Sequence, residues 1–202
     1  FIASDATPFI EYTKQAVYLN EEEVALISLE KGLEVRTIAN ELKRPYVQEL
    51  AIEIESIEKG GYDHFMLKEI NEQSKSIFDT LRGRLLVNEG TIKLGSLEEY
   101  EQKFLNTNRI IIVACGTSWH AGLVAEYLIE DLARIPVEVE YASEFRYRNP
   151  IITEKDIVIA VSQSGETADT LSAIQLAKAK GATIFGICNV VGSSIAREAH
   201  VG

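Results

Sequence analysis

The chain has 202 residues, of which 46% are apolar, so it is long enough for one large or two modest domains with packed cores. Its 31 acidic and 20 basic residues give a formal charge of -11, which argues against a nucleic-acid partner and a membrane-surface helix. There is no secretory signal, no apolar run of about 18 residues and no disulfide framework, because Cys115 and Cys188 each lie in an apolar run typical of a buried strand. We therefore expect a cytoplasmic protein.

Residues 1–40 contain short β patterns, namely Phe1–Asp5, Ala16–Leu19, Val24–Leu29 and Leu33–Ile38. Glu30–Lys31–Gly32 lies between the last two patterns and indicates a hairpin turn. A segment this short cannot bury a core alone, so we interpret it as the remnant of an antiparallel sheet whose partners precede Phe1. Residues 41–61 are polar and acidic and end in Lys59–Gly60–Gly61, which indicates a linker.

An amphipathic helix is predicted next, from Tyr62 to Leu81, because apolar residues recur there at three- and four-residue spacing and Gly83 follows. A strand at Arg109 then runs into a Cys115–Ser118 loop, and a helix from about His120 carries Val124, Leu128 and Leu132 on one face. A strand after Pro136, a loop over residues 143–155, and two more strands complete an α/β alternation. We infer a doubly wound parallel sheet with helices on both faces.

The second of these strand-to-helix connections carries the densest set of polar groups. Ile157–Val161 is a β-branched run typical of a strand buried on both faces, and Ser162–Thr167 (SQSGET) follows it. An apolar stripe at Ala168, Leu171, Ile174 and Ala177 then predicts a helix. Loop amides, hydroxyls and a helix N-terminus would converge there, which is how a phosphate is bound without lysine or arginine.

The two connections, Cys115–Ser118 and Ser162–Thr167, are alike, and adjacent strands would place them side by side at the carboxyl edge of the sheet. Taken singly, either one is equally well explained as N-capping by serine or threonine. Glu166 is interpreted as a residue of the first helical turn that compensates the helix dipole. The segment Tyr141–Arg148 is either a subunit contact or a solvated loop.

The sequence lacks the motifs of a dinucleotide site, a P-loop and a metal site. The sequence CGTSWHAG does not supply the G-x-G-x-x-G of a dinucleotide site, and no P-loop lysine is present. His64, His120 and His200 are scattered without metal-ligand spacing. We therefore expect neither a metal nor a cofactor.

The motifs CGTS, ASEFRYR, SQSGETADTL and ICNVVGSS, in this order and spacing, resemble the first sugar isomerase (SIS) domain of the glutamine:fructose-6-phosphate aminotransferase family. The resemblance covers essentially the whole chain. It implies a glutaminase remnant at 1–40, a linker at 41–61, and a flavodoxin-like SIS domain at 62–202 that is truncated at its C-terminus. It also implies a homodimer formed through SIS domains.

The same resemblance implies that fructose 6-phosphate or glucosamine 6-phosphate is held by the residues at the matching motif positions, namely Thr117, Ser118, Ser162, Gln163, Ser164 and Thr167. The catalytic residues of that family would lie outside this chain, so we expect the segment to bind the sugar phosphate without catalysing its conversion. Two rivals stay open: a SIS-type sensor of sugar phosphates and a stand-alone sugar-phosphate isomerase. The β patterns before residue 40 argue against both, because neither needs a glutaminase sheet.

Overall fold

The computed structural model describes residues 1–3, 9–20, 22–50 and 58–202, apart from the side chain of Ser96. These residues form two compact units, 1–82 and 83–202. The division differs from the predicted domain boundaries after residues 40 and 61, which concern the arrangement of a longer protein and stay predictions. Across the described ranges, no helix combines the length and the apolar composition that crossing a bilayer requires.

The first unit is built on short antiparallel strands. In one sheet β2 (Glu23–Ser28), β3 (Gly32–Thr37) and β4 (Leu42–Lys43) lie in that order, and β1 (Gln15–Val17) pairs separately with β5 (Val47–Glu49). The predicted hairpin is confirmed by the pairing of Ser28 with Gly32, whose φ of 71° suits glycine in a turn. Ser4 and Asp5 of the first β pattern lie outside the described residues.

The same unit ends with the predicted amphipathic helix, α1 (Phe65–Leu81). It begins three residues later than its pattern suggested, after His64 at the N-cap. Much of its apolar surface is exposed, including Met66 at 74% and Phe78 at 65%.

The second unit opens with small elements before the main sheet. They are β6 (Leu85–Leu86), a 3-10 turn (Val87–Glu89), β7 (Thr91–Ile92), a second 3-10 turn (Gly95–Tyr100) and α2 (Glu101–Leu105). The alternating elements follow as β8 (Arg109–Ala114), α3 (Gly116–Ala133), β9 (Val137–Tyr141), α4 (Ala142–Tyr147), β10 (Asp156–Ser162), α5 (Ala168–Ala179), β11 (Thr183–Cys188) and α6 (Ser194–Glu198).

The four long strands form one parallel sheet in the order β11-β10-β8-β9. Successive side chains of a strand point to opposite faces, so Ile111 and Val113 pack in one core cluster while Ile110 and Ile112 pack in another. The first cluster includes residues of α4, α5 and α6, and the second includes residues of α3 and α2. Helices therefore cover both faces, and the predicted doubly wound parallel sheet is confirmed.

The predicted loop over residues 143–155 is partly wrong, because its beginning belongs to helix α4. Ala142 and Phe145 are both fully buried, at the three-residue spacing that places two side chains on one helix face. The aromatic residue was therefore a core signal within a segment that otherwise reads as polar.

Helix α3 corrects a second expectation. Its face with Val124, Leu128 and Leu132 was expected to be the apolar side of the helix, yet these residues are 61%, 55% and 79% exposed. The face toward the sheet instead carries Gly122, where an added Cβ would lie 2.9 Å from Val139 Cγ1, and the partly buried Ala125. Small residues let this helix approach the sheet closely and leave a second apolar face uncovered.

Candidate functional site

The two connections singled out in the sequence begin at neighbouring strand ends. β8 and β10 pair in parallel up to Ala114 opposite Val161, so Cys115 and Ser162 are the next residues on adjacent strands. From β8 the chain crosses to the outer strand β9, and from β10 it crosses in the opposite direction to β11. The strand order thus reverses between β8 and β10, which is where open α/β sheets bind ligands beyond their carboxyl ends.

Hydroxyl groups organise the loop after β10. The amide of Gly165 donates to Ser162 Oγ at 3.0 Å, and the amide of Glu166 donates to Ser164 Oγ at 3.2 Å. Ser162 Oγ also lies 3.2 Å from Thr167 Oγ1, in a contact where either hydroxyl can be the donor. The loop is therefore folded around its own side chains.

This arrangement leaves hydroxyl protons for a ligand. A hydroxyl oxygen that accepts an amide N–H can still donate its own hydrogen, and such chains of hydrogen bonds strengthen one another. Ser162 is buried, Thr167 is half-buried, and Gln163 and Ser164 are exposed. The loop thus has a buried anchor and an accessible polar rim, which suits an anionic group with several acceptor oxygens.

The connection after β8 is shorter than predicted. Helix α3 begins at Gly116 instead of near His120, so Thr117 and Ser118 lie in its first turn and Cys115 is the N-cap. Thr117 is exposed and Ser118 is half-buried. The backbone N–H groups of a first helical turn have no partner within the helix, so they and the two hydroxyls form a second group of donors.

N-capping, the alternative explanation of these motifs, is not what the side chains do. In the part of the chain that the structure describes, neither Cys115 nor Thr167 makes a side-chain cap to its helix. The hydroxyls of Ser162 and Ser164 instead accept amides from within their own loop. The helix N-termini of α3 and α5 therefore keep donors for a bound group.

Glu166 does not lie in the first turn of α5, as was expected. That helix begins at Ala168, with Thr167 at the N-cap, and Asp169 is the acidic residue of its first turn. The carboxylate of Glu166 instead accepts the amide of Ser194 at 2.7 Å, at the start of α6. The interpretation of Glu166 as a dipole-compensating residue of its own helix was wrong.

Sequence reasoning missed how tightly the loop packs against the segment after β11. Gly165 has a φ of 68°, and a Cβ built on it would lie 2.0 Å from Ser193 Oγ and 3.4 Å from Cys188 Sγ. Burial raises the pKa of the Cys188 thiol and Glu166 raises it further, while the neighbouring Ser193 hydroxyl acts in the opposite direction. The signal in the sequence was the Gly192–Ser193–Ser194 run that ends the motif ICNVVGSS.

The opposite edge of the sheet offers a contrast. A small cavity there is lined by Lys103, Asn106, Glu154, Lys155, Asp156, Ile157 and Thr183. Burial by itself would raise the pKa of Asp156, but hydrogen bonds from Arg109 and Thr153 outweigh it and leave that pKa lowered. Arg109 also pairs with Glu138 at 2.7 Å, so two carboxylates share one guanidinium. Within the described ranges, no three His, Cys, Asp or Glu side chains are grouped as metal ligands.

Comparison with known proteins agrees with the motifs. The SIS domain model matches residues 103–202. The whole chain is 56% identical to a glutamine–fructose-6-phosphate aminotransferase [isomerizing] of Bacteroides thetaiotaomicron and 56% identical to one of Chlorobaculum tepidum. It spans 33% of each of these relatives.

A solved structure is similar as well. The C-terminal domain of glucosamine-fructose-6-phosphate aminotransferase from Francisella tularensis aligns with a TM-score of 0.64 and 42% sequence identity. The alignment covers 71% of this chain and 40% of that one.

Proposed function

Because the chain belongs to the glutamine–fructose-6-phosphate aminotransferase family and carries its SIS domain, we propose that it binds the sugar phosphate of that reaction. The full protein would convert fructose 6-phosphate and glutamine into glucosamine 6-phosphate and glutamate. The substrate and the nitrogen donor in this proposal are those for which the relatives are named.

One observation carries the assignment to a site: the hydroxyl network of Ser162, Ser164 and Thr167 at the β8/β10 switch point. A phosphate placed there would accept the hydroxyl protons of this loop and the first-turn amides of α3 and α5. Gln163, Thr117 and Ser118 lie on the two connections that flank the same position and would contact the sugar or the phosphate. Hydrogen bonds to a charged acceptor contribute about 1.5–3 kcal/mol each, which offsets the lack of a cationic side chain.

The site is proposed to bind without catalysing. Isomerisation needs a base within about 3 Å of a carbon-bound proton. Among the described residues of the two connections, Glu166 carries the one carboxylate, and it accepts the amide of Ser194. The base and the imine-forming groups of the reaction are therefore proposed to come from elsewhere in the full protein.

Calorimetric titration of the full protein with fructose 6-phosphate tests the site. Ser162→Ala is expected to weaken the affinity by about 1–3 kcal/mol, because a buried hydroxyl is removed from the phosphate loop. Ser172→Ala, the same change on helix α5 away from its N-terminus, is the matched control and should leave affinity unchanged. Equal affinity of Ser162→Ala and the native protein would refute the phosphate site.

A homodimer is proposed from the uncovered face of α3. Val124, Tyr127, Leu128 and Leu132 are each more than half exposed there, and an apolar patch of this kind marks an interaction surface. A second copy is the proposed partner. Sedimentation velocity should show a dimer that Leu128→Glu weakens, and an unchanged dimer in this variant would place the interface elsewhere.

We also propose a cytoplasmic location. Cys115 and Cys188 are both free thiols, as expected for a protein that works in a reducing compartment.

A further inference from the structure

The segment after β11 holds the proposed phosphate loop from one side. Three of its backbone amides donate to residues of that loop, namely Asn189 to Gln163 O at 3.2 Å, Ile195 to Gly165 O at 2.9 Å and Ser194 to Glu166 Oε1 at 2.7 Å. Two of these bonds join backbone to backbone, so they do not depend on which side chains the residues carry. The third depends on the carboxylate of Glu166.

The two segments also pack closely at this contact. Ser193 is 2% exposed and its Oγ lies 2.0 Å from the position that a Cβ on Gly165 would take, so the two segments are in close contact. A shift of the loop after β11 would therefore move Gly165 and its amide. That amide donates a hydrogen bond to the hydroxyl of Ser162.

The bond between Glu166 and Ser194 also determines where the negative charge of Glu166 lies. The carboxylate belongs to the residue before the N-cap Thr167, so it is attached to the loop that is proposed to bind a dianion. Two like charges close together repel, and salt screens this only beyond about 8 Å. The bond to Ser194 fixes the carboxylate at the start of α6, where a favourable donor holds it.

We propose that Glu166 is a positioning residue for phosphate binding, which it supports by tying the loop after β10 to the segment after β11. The inference rests on the proposed function of the same loop. Its contacts favour this role over two others: Asp169 is the acidic residue in the first turn of α5, and Oε1 of Glu166 accepts the amide of Ser194.

The structure allows the bond to be removed from either end. Glu166→Ala deletes the acceptor, whereas Glu166→Gln keeps an acceptor oxygen and removes the charge. Ser194→Pro deletes the amide donor, and proline is tolerated there because Ser194 is the first helical residue. It also removes the hydroxyl that accepts from Arg197 Nη2 at 3.2 Å, a loss that Ser194→Ala reproduces. Ser193 has φ -62° and ψ 163°, which a residue before proline adopts without strain. Ser194→Ala keeps the amide and is the matched control.

The measurement is made on the full protein with inorganic phosphate as a competitive inhibitor against fructose 6-phosphate. Glu166→Ala and Ser194→Pro should each raise the inhibition constant of phosphate and the KM for fructose 6-phosphate by about fivefold, with kcat changed less than about twofold. Combining the two changes should add little, since both remove one bond. Glu166→Gln and Ser194→Ala should stay within about twofold of the native protein.

Two results would overturn the inference. Native-like constants for both Glu166→Ala and Ser194→Pro would show that the bond does not support the loop. Binding as weak in Glu166→Gln as in Glu166→Ala would show that an acceptor oxygen at residue 166 does not support the loop. Failure of the proposed function is a separate result, because it would appear as native affinity in Ser162→Ala.

Discussion

The connections after β8 and β10 follow neighbouring parallel strands and contain similar residues, yet they differ in conformation and in packing. Residues 162–167 are folded around internal hydroxyl–amide hydrogen bonds and are held by a third segment from beyond β11. Residues 116–118 are already the first turn of α3, and among the described residues no atom outside the nearby helix backbone lies within 4 Å of a Cβ built on Gly116. One connection is enclosed and the other is open.

We infer from this difference that the two connections contribute unequally to phosphate binding. An enclosed loop can hold its donors in place before a ligand arrives, which lowers the ordering cost of binding. An open helix turn can adapt to whatever part of the ligand reaches it. We therefore expect the loop after β10 to set affinity for the phosphate and the turn after β8 to contribute less.

The largest effect is expected from alanine at the two glycines of these connections. Both have positive φ, 68° at Gly165 and 58° at Gly116, so alanine is strained at each by about 1–2 kcal/mol. At Gly165 the new Cβ also meets Ser193, which adds about 1–3 kcal/mol of overpacking. Denaturant unfolding should show Gly165→Ala as the more destabilised variant, and equal losses would contradict the contrast between enclosed and open.

A smaller effect is expected when the same hydroxyl is removed from each connection. Thr167→Val loses the contact with Ser162 and should weaken the binding of fructose 6-phosphate by about 1–3 kcal/mol. Thr117 is exposed, so Thr117→Val should cost less than about 1 kcal/mol. Calorimetric titration of both variants measures these losses of binding free energy. A larger loss in Thr117→Val than in Thr167→Val would reverse the proposed roles of the two connections.

The smallest effect concerns the thiol behind the enclosed loop. Because burial raises the pKa of Cys188, little thiolate is present at pH 8 and alkylation by iodoacetamide should be slow. Gly165→Ala displaces the loop that covers this sulfur and should speed the reaction several-fold, as mass spectrometry would follow. Fast alkylation of Cys188 in the native protein would show that the loop does not enclose it.

Much of the fold could be predicted from local patterns. The β-branched run Ile157–Val161 and the glycine turn at Gly32 fixed a strand and a hairpin, because each depends on short-range sterics. The polar loop Ser162–Thr167 was marked by the same kind of pattern, because hydroxyls and glycine follow a buried strand there. The individual contact residues came from the family resemblance and stay a prediction. Ala142 and Phe145 could have revealed helix α4, but their three-residue spacing was hidden among charged neighbours.

The sequence by itself therefore determined most of the elements, the α/β alternation and the two polar connections, since those follow from periodicity along the chain. Only the tertiary structure decided which apolar face of α3 is buried, because periodicity marks both faces and Gly122 selects one through its fit against Val139. The same holds for Glu166, whose partner Ser194 lies 28 residues away. A carboxylate's role depends on the donor that the fold brings to it, and no local pattern records that donor.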